Sequence, residues 1–383
     1  MQKVKLPSDI NKFVKLRHLL HRNAETAGEE KVTNNILNEF ISTTSPDLQI
    51  DKIGGYGLAA VYNGQNPGKT VLIRADIDAL PIEEINDFEY RSQNSGRSHK
   101  CGHDGHSTIL SYLGEFLGAN RPKKGNVVLL FQPAEETGDG AAKVLADKKF
   151  SHVKPDLVFG FHNLPGFNKN EIIIKDGVFA AASRGYIARL EGKTSHAAEP
   201  ENGISPAPAL AEIITETYSL VDNTEFSDLT LLTIIHARLG EIAFGTSPGY
   251  AEYMATLRAF ENEDIEKLNK QVSEICKEVT GKYSLSLSEE LTEVFPATVN
   301  DRTLADSIRE VGLSSGYELN EIRSPFKWSE DFGHFTSNYP GCYFGIGAGK
   351  DVSQLHNPDY DFPDEIIPGA GLLLINLLKK HSG

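Results

Sequence analysis

Short apolar runs alternate with amphipathic stretches along most of this chain. Thr70-Val71-Leu72-Ile73, Val127–Phe131, Leu157–Phe161 and Cys342–Ile346 are almost uninterrupted by polar side chains. Runs of this length without alternation are the pattern of strands buried on both faces, the habit of a parallel sheet. Between them the period changes to that of helices. Ile10, Phe13, Val14, Leu16, Leu19 and Leu20 predict a helix over about 9–22, which Ser8 can cap, and Val32, Ile36, Leu37 and Phe40 predict a second over 29–42. An apolar, helix-like run covers Ile109–Leu117, and a last helix is expected over 367–380. This order predicts a doubly wound α/β layer with a mostly parallel sheet.

The stretch from about Ser183 to Pro296 has another rhythm. Strand-like runs at Arg184–Leu190, Leu229–Ala237, Tyr250–Phe260 and Tyr283–Leu291 are interrupted by helical patterns over 205–220 and 264–279. The order β-α-β-β-α-β is that of a ferredoxin-like split unit. The expected division is a discontinuous catalytic domain, 1–182 with 297–383, and an inserted domain, 183–296. At 383 residues the chain is long enough for both.

Composition narrows the function classes. A hydrophobic content of 39% and a charged content of 24% describe an ordinary soluble protein. The net charge of −15 excludes nucleic-acid backbone binding as the main task, which needs a basic surface. Three scattered cysteines, Cys101, Cys276 and Cys342, fit a reducing compartment better than a disulfide framework. The start, MQKVKLPSDI, lacks an apolar signal region, and no apolar run reaches the ~18 residues of a membrane span. A cytoplasmic protein without a membrane partner is expected.

Candidate chemistry clusters where the buried runs stop. In α/β sheets ligands bind beyond the carboxyl ends of the strands. The first run leads to Asp76 and Asp78, the second to Glu135-Glu136, the third to His162, and the fourth through a Gly-rich loop to His356. To these the motif Cys101-Gly102-His103-Asp104-Gly105-His106 adds a Cys-x-His pair at the start of a helix. Cysteine, histidine and carboxylates together make a metal site, with Zn²⁺ or Mn²⁺ the suitable ions and two bridged ions plausible from the number of ligands. On an extended backbone Glu135 and Glu136 point to opposite faces, so one would bind metal and the other serve as general base. Metal-assisted hydrolysis of a carbonyl or phosphoryl centre follows, and the absence of a phosphate-cradling glycine loop disfavours the phosphoryl case. His18 is expected as a solvated polar residue, while His21 and Glu25 could edge the site.

The segments IGGYGLAA, RADIDALPIEE, CGHDGHS, GNVVLLFQPAEE, VFGFHNLP, GKTSHAAEP, SEDFGHF and LHNPDYDF, spread over 53–362, are specific in combination. Through them the chain resembles the dinuclear metal-dependent amidohydrolases and carboxypeptidases related to aminoacylase. The branch it resembles holds hippurate hydrolases, indoleacetyl-amino-acid hydrolases and N-acetyl-diaminopimelate deacetylases. The resemblance implies Cys101, His103, Glu136, His162 and His356 as ligands of two divalent metal ions, Glu135 as general base and Asp78 as the aspartate that orients a ligand. It implies a small N-acyl substrate and a homodimer formed by the inserted domain, with His196 steadying the oxyanion in the partner's site. Two departures stand out. Asn23 replaces a usual proline, and Gly245 stands where relatives carry the asparagine that works with Arg258 on the substrate's carboxylate. A dipeptidase or carboxypeptidase is the rival enzyme, and a metal-retaining binding protein the rival outside enzymes. Glu135 and His196 speak against the latter, since binding alone needs neither.

Overall fold

A computed structural model of the chain describes residues 5–222 and 224–382. Helix α1 (Ile10–Arg22) buries Phe13, Leu16 and Leu20 and is capped by Asp9, whose carboxylate accepts the Lys12 N–H, rather than by Ser8. After α2 (Lys31–Ser42) come β1 (Leu48–Ile53), β2 (Gly57–Asn63) and β3 (Asn66–Asp76). Then follow α3 (His103–Ala119), β4 (Lys124–Gln132), α4 (Gly140–Ala146), β5 (Leu157–Pro165), β6 (Ile172–Ile174) and β7 (Gly177–Ala180). The middle of the chain holds β8 (Ala182–Glu191), β9 (Ser195–His196), α5 (Ala207–Tyr218) and β10 (Thr230–Leu239). It continues with β11 (Thr246–Ser247), β12 (Tyr250–Ala259), α6 (Asn262–Lys282) and β13 (Ser286–Phe295). Last come β14 (Thr298–Asn300), α7 (Arg302–Ser314), β15 (Leu319–Glu321), α8 (Gly333–Thr336), β16 (Gly341–Gly349) and α9 (Ile367–Ser382).

Two compact units result, Met1–Phe179 with Thr298–Pro325 and Asp331–Gly383, and Ala180–Ala297 with Phe326–Glu330. In the first, the strands are ordered β1-β2-β4-β3-β5-β16-β6-β15. The four apolar runs became β4, β3, β5 and β16, adjacent and mutually parallel, while the β1–β2, β2–β4 and β16–β6 pairs are antiparallel and β15 runs parallel to β6. The architecture is therefore a mixed α/β layer around a mostly parallel sheet. Val71, Ile73, Leu129, Phe159 and Phe344 pack with Phe13, Leu113, Phe116, Leu373 and Leu377 from the helices in one core. Gly345, Gly347 and Gly349 belong to β16 and not to a loop, so the segment between β16 and His356 is shorter than the glycine pattern suggests.

The second unit is an antiparallel sheet in the order β10-β12-β8-β13 with α5 and α6. Its strands alternate, as one covered face demands: along β12 every second residue from Ala251 to Ala259 is buried. Its edge strand β10 is mostly exposed, including Leu231, Ile235 and Leu239. Among the described residues no helix is long and apolar enough to cross a membrane, and all three cysteines are buried and unpaired.

Candidate metal centre

The site forms where β3, β4 and β5 end and α3 begins. Gly102, at φ +92°, is the residue before α3, and a side chain there would collide with the Asn163 amide, 2.5 Å from the Cβ position. That close approach brings the helix start onto β5. Cys101 Sγ consequently lies 3.3 Å from His162 Nε2. His162 Nδ1–H donates to the Asn163 carbonyl at 2.7 Å, which leaves Nε2 facing the thiol as an acceptor. On the first turn of α3, His103 Nδ1–H donates to the Asp78 carbonyl at 2.9 Å, and its Nε2 lies 3.7 Å from Glu136 Oε1. His356 reaches the same region from its loop: its N–H donates to the Lys100 carbonyl at 2.8 Å, and its Nε2 lies 3.7 Å from Glu136 Oε2. Its φ of +66° is unusual for a residue with a side chain.

Three overlapping groups have donor atoms within 4.8 Å of one another: Cys101, His103 and His162; Cys101, Glu136 and His356; and His103, Glu135 and Glu136. Among the described residues, His103 Nε2, Glu136 Oε1 and Asp78 Oδ1 are buried yet take part in no hydrogen bond. Buried polar atoms are normally paired, and sulfur, imidazole and carboxylate atoms left over at one point fit a divalent ion. The two glutamates do not point to opposite faces as an extended backbone would have them. Ala134 takes a φ of +54°, and Glu135–Gly138 is a turn closed by a 2.8 Å bond from the Gly138 N–H to the Glu135 carbonyl. Both carboxylates thereby face His103.

Among these side chains by themselves the charges are out of balance. Burial, with the negative charges of Glu136 and Glu135, pushes the Cys101 thiol up. Burial also raises the Glu136 carboxyl to about 7, although His103 opposes it. For His103 burial works downward, but Asp76, Asp78 and Glu136 raise it to about 10. Burial and His106 lower His162. A bound cation supplies the positive charge that thiolate and carboxylates need and reverses these directions for both.

Behind the candidate ligands stands a layer of charges of which the strand pattern singled out only Asp76. Asn163 N–H donates to His106 Nε2 at 3.1 Å, and His106 Nδ1–H donates to Asp76 Oδ1 at 2.5 Å. Arg74 then joins Asp76, at 2.7 Å, to Asp331, at 2.6 Å. Burial alone would raise Asp76, but His103, His106 and Arg74 hold it well below the usual carboxylate range. Asp331 also accepts from Gln132 and the Ala141 N–H, and its own N–H donates to Glu135 Oε1 at 3.4 Å. The signal was present, since Arg74-Ala75-Asp76 continues a buried run and Asp331 lies in SEDFGHF. His18 is not merely solvated: it pairs with Asp364 at 3.0 Å and stacks on Tyr90. His21 is fully buried between Asp104 and Glu84, and Glu25 accepts the Val32 and Thr33 N–H groups at the start of α2.

The remaining predicted residues lie in the second unit. His196 on β9 pairs with Thr246 on β11 and is exposed. The Ala198 N–H donates to His196 Nδ1 at 3.0 Å, so the ring proton sits on Nε2, free to donate. The next residue, Ala197, donates its N–H to the Gly245 carbonyl at 3.0 Å, which sets Gly245 beside His196. A side chain at Gly245 would meet nothing within 4 Å, so the missing amide is not a steric necessity. Arg258 donates to the Lys327 carbonyl and, at 2.8 Å, to Ser329 Oγ.

Comparison with known proteins is consistent with this geometry. The model of the peptidase family M20/M25/M40 matches residues 72–379. The chain is 30% identical over 371 residues to the hippurate hydrolase of Campylobacter jejuni subsp. jejuni, covering 96% of each chain. Among solved structures it resembles the Bacillus subtilis YxeP protein, described as a dinuclear metal binding peptidase, with a TM-score of 0.81 and 24% identity over 97% of this chain and 98% of that one. The aminobenzoyl-glutamate utilization protein of Klebsiella pneumoniae superimposes with a TM-score of 0.76 at 16% identity, over 97% and 95% of the two chains.

Proposed function

This chain belongs to the peptidase family M20/M25/M40, as a hydrolase of amide or peptide C–N bonds, and from that premise we propose that it cleaves a small N-acyl compound to a carboxylate and an amine. The observation that carries the proposal is the convergence of Cys101, His103, Glu136, His162 and His356 beside a second, buried glutamate. These five side chains would hold two divalent ions, Mn²⁺ or Zn²⁺. Such ions, when bound, polarise a carbonyl and make water easier to deprotonate at neutral pH.

The protein's own groups supply the rest. Asp78 keeps two groups in register, accepting the Glu136 N–H on Oδ2 at 3.0 Å and the His103 Nδ1–H on its carbonyl. Glu135, steadied by the Asp331 N–H, takes a proton from the attacking water as the new C–O bond forms. It returns that proton to the amine nitrogen as the C–N bond breaks. His196 Nε2–H would stabilise the negative charge on the carbonyl oxygen. With β10 an open, apolar edge strand, the second unit is read as the dimer contact, and His196 as serving the partner's site. The three buried free thiols suit a reducing cytoplasm.

Hippurate, the substrate named for the Campylobacter relative, is an N-acyl amino acid with a free carboxylate. Arg258 remains here to meet such a group, but Gly245 brings no amide beside it, which favours substrates held less tightly by a carboxylate. The test is a panel of N-acyl amino acids, dipeptides and N-acyl amines offered to Mn²⁺- and Zn²⁺-loaded protein. Turnover of N-acyl compounds above dipeptides is expected. Dipeptides turned over fastest would shift the assignment to the dipeptidase reading, and no amide turned over at all would overturn the proposal. Glu135→Gln and His196→Ala subunits, each near-inactive alone, should after random pairing regain about a quarter of native activity if His196 acts across the interface, because half the dimers are mixed and each mixed dimer has one intact site of two. No regain in demonstrably mixed dimers would remove that role.

A further inference from the structure

The turn that aims Glu135 and Glu136 depends on a residue far away in the chain. Ala134 holds a left-handed backbone conformation that its Cβ disfavours, and nothing in β4 imposes it. Its N–H donates to Glu30 Oε1 at 2.9 Å, and the Gly28 N–H donates to the same oxygen at 2.9 Å. On the other side the Gly140 N–H donates to the Ala134 carbonyl at 3.0 Å. Glu30 is wholly buried, and among the described residues its Oε2 has no hydrogen-bond partner. Burial first, and then the charge of Asp78, raise its carboxyl to about 7 against the pull of the backbone donors. A carboxyl kept in such surroundings with one oxygen idle is a costly choice for packing. Its working part is Oε1.

We propose that Glu30 is a positioning residue, whose Oε1 pins Ala134 in its left-handed conformation and thereby sets the aim of Glu136 as a metal ligand and of Glu135 as a base. The proposal rests on the roles given to those two glutamates above. It places the start of α2, remote from the ligands in sequence, among the determinants of metal affinity. Supporting groups around metal ligands typically matter about 10–100-fold in affinity or activity.

The experiment compares Glu30→Gln, Glu30→Asp, Glu30→Ala and the double variant Glu30→Ala/Ala134→Gly in the full-length protein. Readouts are Zn²⁺ stoichiometry and affinity, kcat and KM separately, and Tm. Glu30→Gln keeps the acceptor oxygen and should stay within about twofold of native in metal affinity and kcat. Glu30→Ala should lose about 10–100-fold in affinity for one Zn²⁺ equivalent, with a similar fall in kcat and little change in KM. Glu30→Asp, a milder change that withdraws the oxygen by one methylene, should lose in the same direction even if Glu30→Ala fails to fold. Glycine takes the left-handed conformation freely but adds entropy to the unfolded chain, so the double variant should regain Zn²⁺ affinity and kcat without regaining Tm. A purely structural Glu30 would move Tm alone, and glycine would rescue nothing. Native Zn²⁺ affinity in Glu30→Asp, or a folded double variant no better than Glu30→Ala, would overturn the proposal. Wild-type protein that binds Zn²⁺ but hydrolyses no amide would instead overturn the functional reading, and the metal readout would still test Glu30.

Discussion

The two units treat charge in opposite ways. In the first, Arg74 has no exposed surface and lies between Asp76 and Asp331, themselves fully buried and tied on to His106, Gln132 and the Ala141 N–H. In the second, Arg189 also lies between two acids, Glu252 and Glu290, but with a third of its side chain in water. The first arrangement tolerates no missing member, because a single removal strands an unpaired charge in the interior. The second is replaceable by solvent. The same contrast holds for the apolar residues: the apolar runs of β4, β3, β5 and β16 are covered on both faces, while β10 leaves Leu231, Ile235 and Leu239 in the open. The first unit holds its charges in dry, fixed pairs, and the second leaves both charge and apolar surface in water.

That contrast can be broken at graded points. The largest effect is expected from Glu135→Gln, which should lower turnover by about 10²–10⁴-fold while the protein keeps its metal. If metal is lost and activity returns on remetallation, the roles of Glu135 and Glu136 must be exchanged. Next, Arg74→Met should destabilise the protein by about 3–5 kcal/mol in urea unfolding, since Asp76 and Asp331 would be left buried without their cation. Arg189→Met should leave the urea midpoint in place. Equal effects from the two arginine variants would refute the comparison.

A smaller effect concerns acid. Burial alone would raise Glu84, but His21, Lys100 and the Ser92 N–H bring it down to about 2. Its folded value therefore lies below the ordinary ~4.3 of a glutamate. The stability it contributes is complete above that value and is lost as pH falls toward 2. Metal-free Glu84→Gln protein should be less stable than native at pH 6, and the difference should shrink between about pH 4 and 2. A difference that does not change with pH would mean that the Glu84 charge is not held by this network.

Much of the fold was legible in the sequence because buried parallel strands advertise themselves. A run such as Val127–Phe131 has no polar alternation, and an acid or histidine just past it stands out. The candidate acids and histidines past the strand ends were visible that way, as was the βαββαβ order of the second unit. The turn that aims Glu135 and Glu136 was not. It contains a left-handed Ala134, at a position with neither glycine nor asparagine to announce it, whose N–H bonds Glu30, 104 residues away. Arg74 and Asp331 escaped for a related reason: their pairing spans 257 residues, and nothing local marks a charge as interior. The Ser8 cap failed by one residue, because Asp9 offers an equally good side-chain acceptor.

Diffraction from metal-loaded crystals, recorded on both sides of the zinc absorption edge, tests the central claim most directly. The account predicts two anomalous peaks about 4 Å apart. Cys101, His103, Glu136, His162 and His356 should each lie within bonding distance of one of them, near 2.0–2.3 Å, and Glu135 should be bonded to neither. A single peak, peaks away from these five side chains, or Glu135 in place of Glu136 among the ligands would contradict it.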